Sequence, residues 1–166
     1  MNVTHAALAA TLAGVSILGL SACSSSSTPA DFTAVSAKPT VTLVDTGATG
    51  SSVGDYTVFS AAVTKDGQPF GVLYGEKLLV AEPGQDGAPQ GLGRYENHLE
   101  FDLPDGTISV EGLQFYTTDG SVPDVALTKG EDRAIVGGTG AYAGAHGVLH
   151  STTNADGTRT QSFDFC

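Results

Sequence analysis

The feature that most constrains this chain is an alternation of apolar and polar residues, which is clearest over positions 94–103. One side of that run holds Tyr95, Asn97, Leu99, Phe101 and Leu103. A period of two predicts a half-buried β-strand. Similar runs lie at 40–46, 55–64, 70–81, 107–117, 142–153 and 158–165, with shorter ones at 123–128 and 133–137. Asp-Gly pairs, a strong hairpin signal, join many of them. The sequence therefore predicts an all-β fold, a closed antiparallel barrel of about eight strands, because closure removes exposed sheet edges.

A glycine-rich stretch at 135–149, IVGGTGAYAGAHGVL, matches the G-x-G-x-x-G/A dinucleotide fingerprint. That fingerprint works by opening an α-helix whose N-terminus faces a pyrophosphate. Here two further glycines and an alternating run follow, so no useful helix is expected. We therefore expect no cofactor, and we interpret the stretch as a structural corner that contains Gly137, Gly138, Gly140 and Gly144.

The N-terminus carries an uncharged apolar segment, residues 6–22, that ends in small residues before Cys23. Such a segment is typical of a secretory signal and is too short for a stable membrane span. The sequence LSAC at 20–23 also resembles the lipobox of bacterial lipoproteins, in which the cysteine is acylated. We therefore predict a signal peptide at 1–22, lipidation of Cys23, a flexible Ser/Thr/Pro linker at 23–39 and a barrel domain at 40–166. The domain would be anchored on the extracytoplasmic side of the cell membrane. The alternative is a cleaved signal in which Cys23 is incidental.

Charge argues against a nucleic-acid partner, and histidine spacing argues against a metal site. The formal net charge is −11 and no run of Lys or Arg occurs, so a nucleic acid would be repelled. No metal site is expected either. His146 and His150 are four residues apart on one strand face, about 13 Å at the rise of a strand, which is too far for two ligands of one zinc ion.

Four segments occur in a characteristic order, namely GDYTVF at 54–59, GVLYG at 71–75, GTISVEG at 106–112 and VGGTGAYAGAHG at 136–147. This series resembles the allene oxide cyclase barrel superfamily, which includes plant dirigent proteins and bacterial spirotetronate cyclases. The resemblance covers about residues 40–165. It implies an eight-stranded barrel with an apolar cavity, often assembled as homodimers or homotrimers. It also implies that catalytic members bind a reactive, flexible substrate and control the shape in which it cyclises or couples.

The resemblance does not carry a complete active site with it. Allene oxide cyclases use a Glu and an Asn early in the barrel, with a Ser-Pro pair that holds a water. The corresponding region, residues 44–52, has neither Asn nor Ser-Pro, and Asp45 is its only carboxylate. The catalytic residues therefore stay unknown, with Asp45 and Glu76 as the candidates.

Alternation predicts which side chains line the cavity. If Leu99 and Phe101 point inward, Asn97 does too, and it then needs a hydrogen-bond partner or a ligand. On 70–81 each face carries one charge, so the inward polar group is either Glu76 or Lys77. On 107–117 the apolar phase switches after Val110, which predicts a bulge at Gly112. The candidate cavity residues are Tyr74, Tyr95, Asn97, Phe101 and Tyr116.

Two classes of function remain open. In the first, the barrel is a membrane-anchored binding protein for a small hydrophobic molecule. In the second, it is an intramolecular cyclase or isomerase that needs no cofactor, where proximity and orientation supply most of the rate. A dirigent-like role, guiding a stereoselective coupling, lies between them. Because no known cyclase signature is present, the sequence favours binding.

Overall fold

The computed structural model describes residues 28–117 and 131–166. These residues form nine β-strands and one short 3-10 turn, Gly140–Tyr142. In chain order the strands are β1 Phe32–Ser36, β2 Thr40–Val44, β3 Tyr56–Lys65, β4 Gln68–Ala81, β5 Gly93–Leu103, β6 Gly106–Tyr116, β7 Glu131–Gly138, β8 Gly147–Thr153 and β9 Arg159–Phe165. No helix in the described ranges is long and apolar enough to cross a membrane.

The strands close into an antiparallel barrel. Their order in the sheet is β1-β9-β8-β7-β6-β5-β4-β3-β2, and a further pairing of β1 with β3 closes the ring. Eight strands therefore form the barrel and β2 is an extra strand on β3, which confirms the predicted fold class. The β3–β4 hairpin shows how the Asp-Gly pairs act, because both Asp66 (φ 53°) and Gly67 (φ 73°) adopt the positive φ that such a turn requires.

The first strand corrects the predicted domain boundary. β1 lies inside the segment 23–39 that we expected to be a flexible linker, and it pairs with both β9 and β3. Its inward residues are the small Ala34 and Ser36, so its composition resembles that of the preceding Ser/Thr/Pro stretch. The barrel therefore begins by Phe32 rather than at residue 40. The predicted strand at 123–128 lies outside the described residues.

One end of the barrel holds a closed hydrophobic core. Phe163 is at its centre, stacked on Phe32 with ring centroids 4.5 Å apart and edge-to-face with Phe101 at 4.9 Å. Leu149 and Ile108 are fully buried beside them. Towards the other end a smaller cluster contains Leu79, Tyr95 and Tyr116. The middle of the barrel therefore lies between two apolar layers.

The glycine-rich corner joins β7 to β8 without an α-helix. Gly140 (φ 59°) opens the 3-10 turn and Gly144 (φ 77°) follows it. A Cβ at Gly138 would lie 2.5 Å from the carbonyl oxygen of Thr107, and one at Gly140 would lie 2.2 Å from that of Asp105. The glycines therefore let the corner pack against the β5–β6 turn. The close packing explains why glycines occur at these positions, and their spacing happens to match the dinucleotide fingerprint.

Strand β6 keeps one phase along its whole length. Its pairing with β5 is continuous, so the predicted bulge at Gly112 is wrong. The register shift lies instead between Ser109 and Val110, opposite β7. As a result Leu113 and Phe115 lie on the outer face, with 52% and 37% of their surface exposed. The predicted change of inward face was wrong because it assumed that these two apolar residues point into the barrel.

Candidate functional site

A cavity of about 460 Å³ occupies the middle of the barrel. It opens beside β2. Among the described strands, β1 pairs with β9 and β3, whereas β2 pairs only with β3, so no strand closes the wall between β2 and β9. The mouth therefore lies between the β1–β2 connection and the β8–β9 turn. The lining residues are Ser36, Ala37, Lys38, Pro39, Val41, Phe59, Ala61, Leu73, Lys77, Asn97, Leu99, Tyr116, Arg133, Thr153, Gly157, Arg159 and Gln161.

The apolar part of the lining comes from β2 to β5. Phe59 and Ala61 of β3, Leu73 of β4 and Leu99 of β5 contribute inward side chains, and Val41 of β2 forms part of the rim. Gly75 gives Phe59 its room, because a Cβ there would lie 2.3 Å from the phenyl ring. This side of the cavity can therefore contact the hydrocarbon part of a ligand.

The opposite wall is polar and is built around Glu131. Its Oε2 accepts hydrogen bonds from the Nη2 atoms of both Arg133 and Arg159, the latter at 2.8 Å. Burial alone would raise the pKa of Glu131, but the charges of the two arginines outweigh burial and hold that pKa below its ordinary value. Glu131 is therefore ionised at neutral pH and holds the two guanidinium groups together.

Tyr116 connects this cluster to the cavity. Its hydroxyl oxygen accepts a hydrogen bond of 2.7 Å from Arg133 Nη2. Its single proton can be donated to Asn97 Oδ1 at 3.2 Å or to Glu131 Oε2 at 3.3 Å. Burial raises the pKa of Tyr116, and the charge of Arg133 offsets this only in part. The phenol therefore stays protonated at neutral pH and acts as a hydrogen-bond donor.

A second chain of hydrogen bonds extends from Arg133 across β8 and β9 to β1. Arg133 Nη1 donates to Ser151 Oγ at 3.2 Å, and the Ser151 hydroxyl donates to Gln161 Oε1. Gln161 Nε2 then donates to Ser36 Oγ at 3.0 Å. Two buried atoms, Glu131 Oε1 and Arg133 Nε, have no hydrogen-bond partner among the described residues. The polar wall is thus mostly, but not completely, satisfied.

Lys77 brings a further positive charge to the site from β4. Its side chain is buried, and Nζ lies 4.2 Å from the centroid of the Tyr116 ring and 5.8 Å from that of Phe59. A cation over an aromatic face is stabilised by the ring quadrupole. The aromatic residues thus help to hold a lysine inside the barrel.

The structure brings some of the predicted cavity residues together and not others. Asn97 is buried and lines the cavity, as does Tyr116, and Asn97 Nδ2 donates to the carbonyl of Tyr95 at 3.1 Å. Tyr95 is also buried, but it borders a separate pocket of about 80 Å³. Phe101 belongs to the closed core at the other end. Of these four residues, only Asn97 and Tyr116 line the central cavity.

Three other predicted residues lie elsewhere. Tyr74 is 52% exposed on the outer face of β4, so its assignment to the cavity is wrong. Glu76 is exposed on the same face, because β4 turns Lys77 inward. Asp45 is exposed in the β2–β3 loop, where its Oδ2 accepts a hydrogen bond from the amide of Gly50 at 3.1 Å. Neither candidate carboxylate reaches the cavity, and Cys23 lies outside the described residues.

The sequence interpretation missed the residues that form the polar wall. Glu131, Arg133 and Ile135 share one face of β7, and Arg159, Gln161 and Phe163 share one face of β9. Because Ile135 and Phe163 are core residues, the alternation in EDRAI and RTQSF already indicated buried polar groups. These two short alternating segments were thus the sequence pattern that indicated the polar wall.

His146 and His150 lie outside the cavity. His150 Nδ1 is 2.7 Å from Asp132 Oδ1, and the hydrogen bond between them raises the pKa of His150. His146 Nδ1 lies 3.2 Å from the carbonyl oxygen of Gly144. Over residues 28–117 and 131–166, no group of three or more His, Cys, Asp or Glu side chains is placed to hold a metal ion.

Comparison with known proteins points to one family. A family model described as an allene oxide cyclase barrel-like domain matches residues 33–164. A solved pyocyanin demethylase has a TM-score of 0.65 and 23% identity, over 82% of this chain and 100% of that one. The Diels-Alderase AbmU from Streptomyces koyangensis has a TM-score of 0.54 and 13% identity, over 80% and 65% of the two chains. A nonspecific heme-binding cyclase, whose description gives a 4 + 2 cycloaddition during neoabyssomicin biosynthesis, has a TM-score of 0.51 and 13% identity, over 80% and 63%. The search of curated proteins finds no match. At these identities the structural likeness concerns the fold.

Proposed function

Because this chain belongs to the allene oxide cyclase barrel-like family, we propose that its barrel binds a small, mainly apolar molecule in the central cavity. The observation that carries the proposal is a cavity of about 460 Å³ with an apolar wall and a cluster of polar groups opposite it. Sites for small ligands typically have volumes of about 300–1,000 Å³ and combine apolar surface with a few converging polar groups. A ligand of two or three rings, or a folded chain, fits this volume.

The binding proposal is tested with N-phenyl-1-naphthylamine, a neutral dye that fluoresces in apolar surroundings. The full chain should increase its fluorescence in a saturable way. Ala61→Phe should abolish the increase, because Ala61 is buried on the inner face of β3 and a phenyl ring there would occupy the cavity. Ala62→Phe is the matched control, since Ala62 is exposed on the outer face of the same strand.

The two variants decide between the cavity and the outer surface. Equal dye binding by the Ala61 and Ala62 variants, both folded by circular dichroism, would place the dye outside the barrel and contradict the proposal. The absence of dye binding by the folded unsubstituted chain would contradict it as well.

A second candidate function is catalysis of an intramolecular cyclisation. Tyr116 favours it, because Arg133 donates to the phenol oxygen and so strengthens the phenol as a donor. A carbonyl group of a substrate in the cavity would replace Asn97 or Glu131 as the acceptor of the phenol proton. The names of two structural relatives, a Diels-Alderase and a cyclase, support the same chemistry. The test is a linear triene that carries a tethered, carbonyl-activated alkene. Tyr116→Phe should slow its cyclisation at least about tenfold while dye binding is kept. Equal rates with and without the chain would contradict this function.

We also propose that the chain is a lipoprotein anchored through Cys23. Residues 6–22 and the lipobox-like LSAC support this, and β1 begins only nine residues after Cys23. Fully extended, those residues span at most about 30 Å, so the barrel would stay close to the membrane. Phe32 lies at the end of the barrel opposite to the cavity mouth, since β1 runs from Phe32 towards Ser36 and Lys38. The mouth would then face away from the lipid.

A further inference from the structure

Positive charge is concentrated in the cavity of an otherwise acidic protein. The whole chain has only seven Lys and Arg residues against eighteen Asp and Glu. Four of the seven, Lys38, Lys77, Arg133 and Arg159, line the cavity. Among the described residues, no Asp or Glu is part of the same lining. A random distribution of charge over this chain would favour acidic groups there.

One buried carboxylate behind the wall is shared by two of these cations. One oxygen of Glu131 accepts hydrogen bonds from both Arg133 and Arg159, and only 3% of the Glu131 side chain is exposed. Among the described residues, the two arginine charges therefore share a single negative charge. Lys38 is exposed at the mouth, where its charge can attract an anion from solvent.

The cations converge on Tyr116. Lys77 Nζ lies over its ring at 4.2 Å, and Arg133 Nη2 lies 2.7 Å from its hydroxyl oxygen. Arg159 reaches the same cluster through Glu131. Attraction between opposite charges is strong where water is excluded, and the surrounding residues are apolar or buried. The part of the cavity that lies between Lys77 and the two arginines is therefore suited to an anionic group.

We infer that the ligand of this cavity carries an anionic oxygen group, such as a carboxylate or an enolate, that lies among Lys77, Arg133 and Arg159. Its apolar body lies against Phe59, Leu73 and Leu99. This inference rests on the proposed binding function and adds the class of ligand to it. A neutral hydrocarbon ligand would leave Arg133 and Arg159 with Glu131 as their single counter-charge among the described residues, which costs free energy.

The test compares two dyes that differ in one group. 1-Anilinonaphthalene-8-sulfonate carries a permanent negative charge, and N-phenyl-1-naphthylamine is the same molecule without the sulfonate. The full chain should bind the anionic dye at least tenfold more tightly than the neutral one. 1-Naphthoic acid should displace it, whereas 1-naphthalenemethanol should not.

Two cavity variants, one control and one reserve variant locate the charge effect. Lys77→Met and Arg159→Met should each weaken binding of the anionic dye severalfold more than they weaken binding of the neutral dye. Arg94→Met is the control with the same loss of charge, because Arg94 lies on the outer face of β5. Lys38→Met serves as an exposed cavity variant if the Lys77 or Arg159 substitution prevents folding.

The outcomes separate this inference from the proposed function. Equal affinity for the two dyes overturns the anionic ligand while leaving the binding function in place. An equal loss of the anionic dye in Arg94→Met and Lys77→Met also overturns it, because the effect would then come from net charge. Failure to bind either dye overturns the proposed function and this inference with it.

Discussion

Gly140 shows how strongly a single residue restricts this fold. Gly140 has a positive φ, and a Cβ atom added to it would lie 2.2 Å from the carbonyl oxygen of Asp105. Gly140→Ala should therefore lower the free energy of unfolding by about 1–3 kcal/mol. Gly137→Ala is the matched control, since Gly137 has no positive φ and no atom within 4 Å of its Cβ position. It should change stability by less than about 0.5 kcal/mol in urea unfolding. Equal losses in both variants would contradict this account of the corner.

Single positions differ in how well the sequence predicts them. Asn97 was predictable, because it alternates with apolar neighbours that all point inward. The choice between Glu76 and Lys77 was not, because each face of β4 carries one charge and both phases look alike. The burial of Lys77 depends on the rings of Phe59 and Tyr116, which come from other strands. Long-range contacts of this kind leave no local pattern.

At the level of elements, strand β6 gives the sharpest test of the corrected register. Leu113 lies on its outer face, whereas Leu149 of β8 is fully buried in the core. Leu149→Ala should therefore cost about 2–5 kcal/mol of stability, as a large-to-small change in a packed core does. Leu113→Ala should cost less than about 1 kcal/mol. Thermal and urea unfolding of the two variants measure this difference. A larger loss of stability for Leu113→Ala than for Leu149→Ala would contradict this register and favour the predicted bulge at Gly112.

Elements were predicted best where the period of two was long. β3, β4, β5 and β9 appear within a few residues of their predicted bounds, because each buries one complete face. β1 could not be predicted: it has five residues, and its pairing with two distant strands determines its structure. The position of the cavity mouth follows from the different pairing partners of β1 and β2. Because β1 itself was not predicted, the sequence did not predict the mouth either.

At the scale of the whole molecule, the barrel depends on charge inside its polar wall. The pKa of Glu131 is lowered on folding, so its contribution to stability is complete above the ordinary value of about 4.3 and is lost as the pH falls through the folded value. Glu131→Gln should be destabilised by about 3 kcal/mol at pH 7, because the buried Arg133 and the partly buried Arg159 lose their shared counter-ion. The difference from the unsubstituted chain should shrink below about pH 4. Unfolding curves at pH 7, 5 and 3.5 measure it, and a constant difference would contradict the linkage.

The last prediction concerns where the whole molecule is held. A lipid on Cys23 would hold the barrel at its Phe32 end, so the cavity mouth would open away from the membrane. Each buried methylene contributes about 0.8 kcal/mol, so two or three acyl chains would hold the protein firmly. The full chain, expressed in a bacterial host, should incorporate labelled palmitate and partition into the detergent phase of Triton X-114. Cys23→Ser should lose both properties, while Cys166→Ser, which removes the exposed C-terminal thiol, should keep them. Release of the unsubstituted chain into the medium without label would instead support a cleaved signal in which Cys23 is incidental.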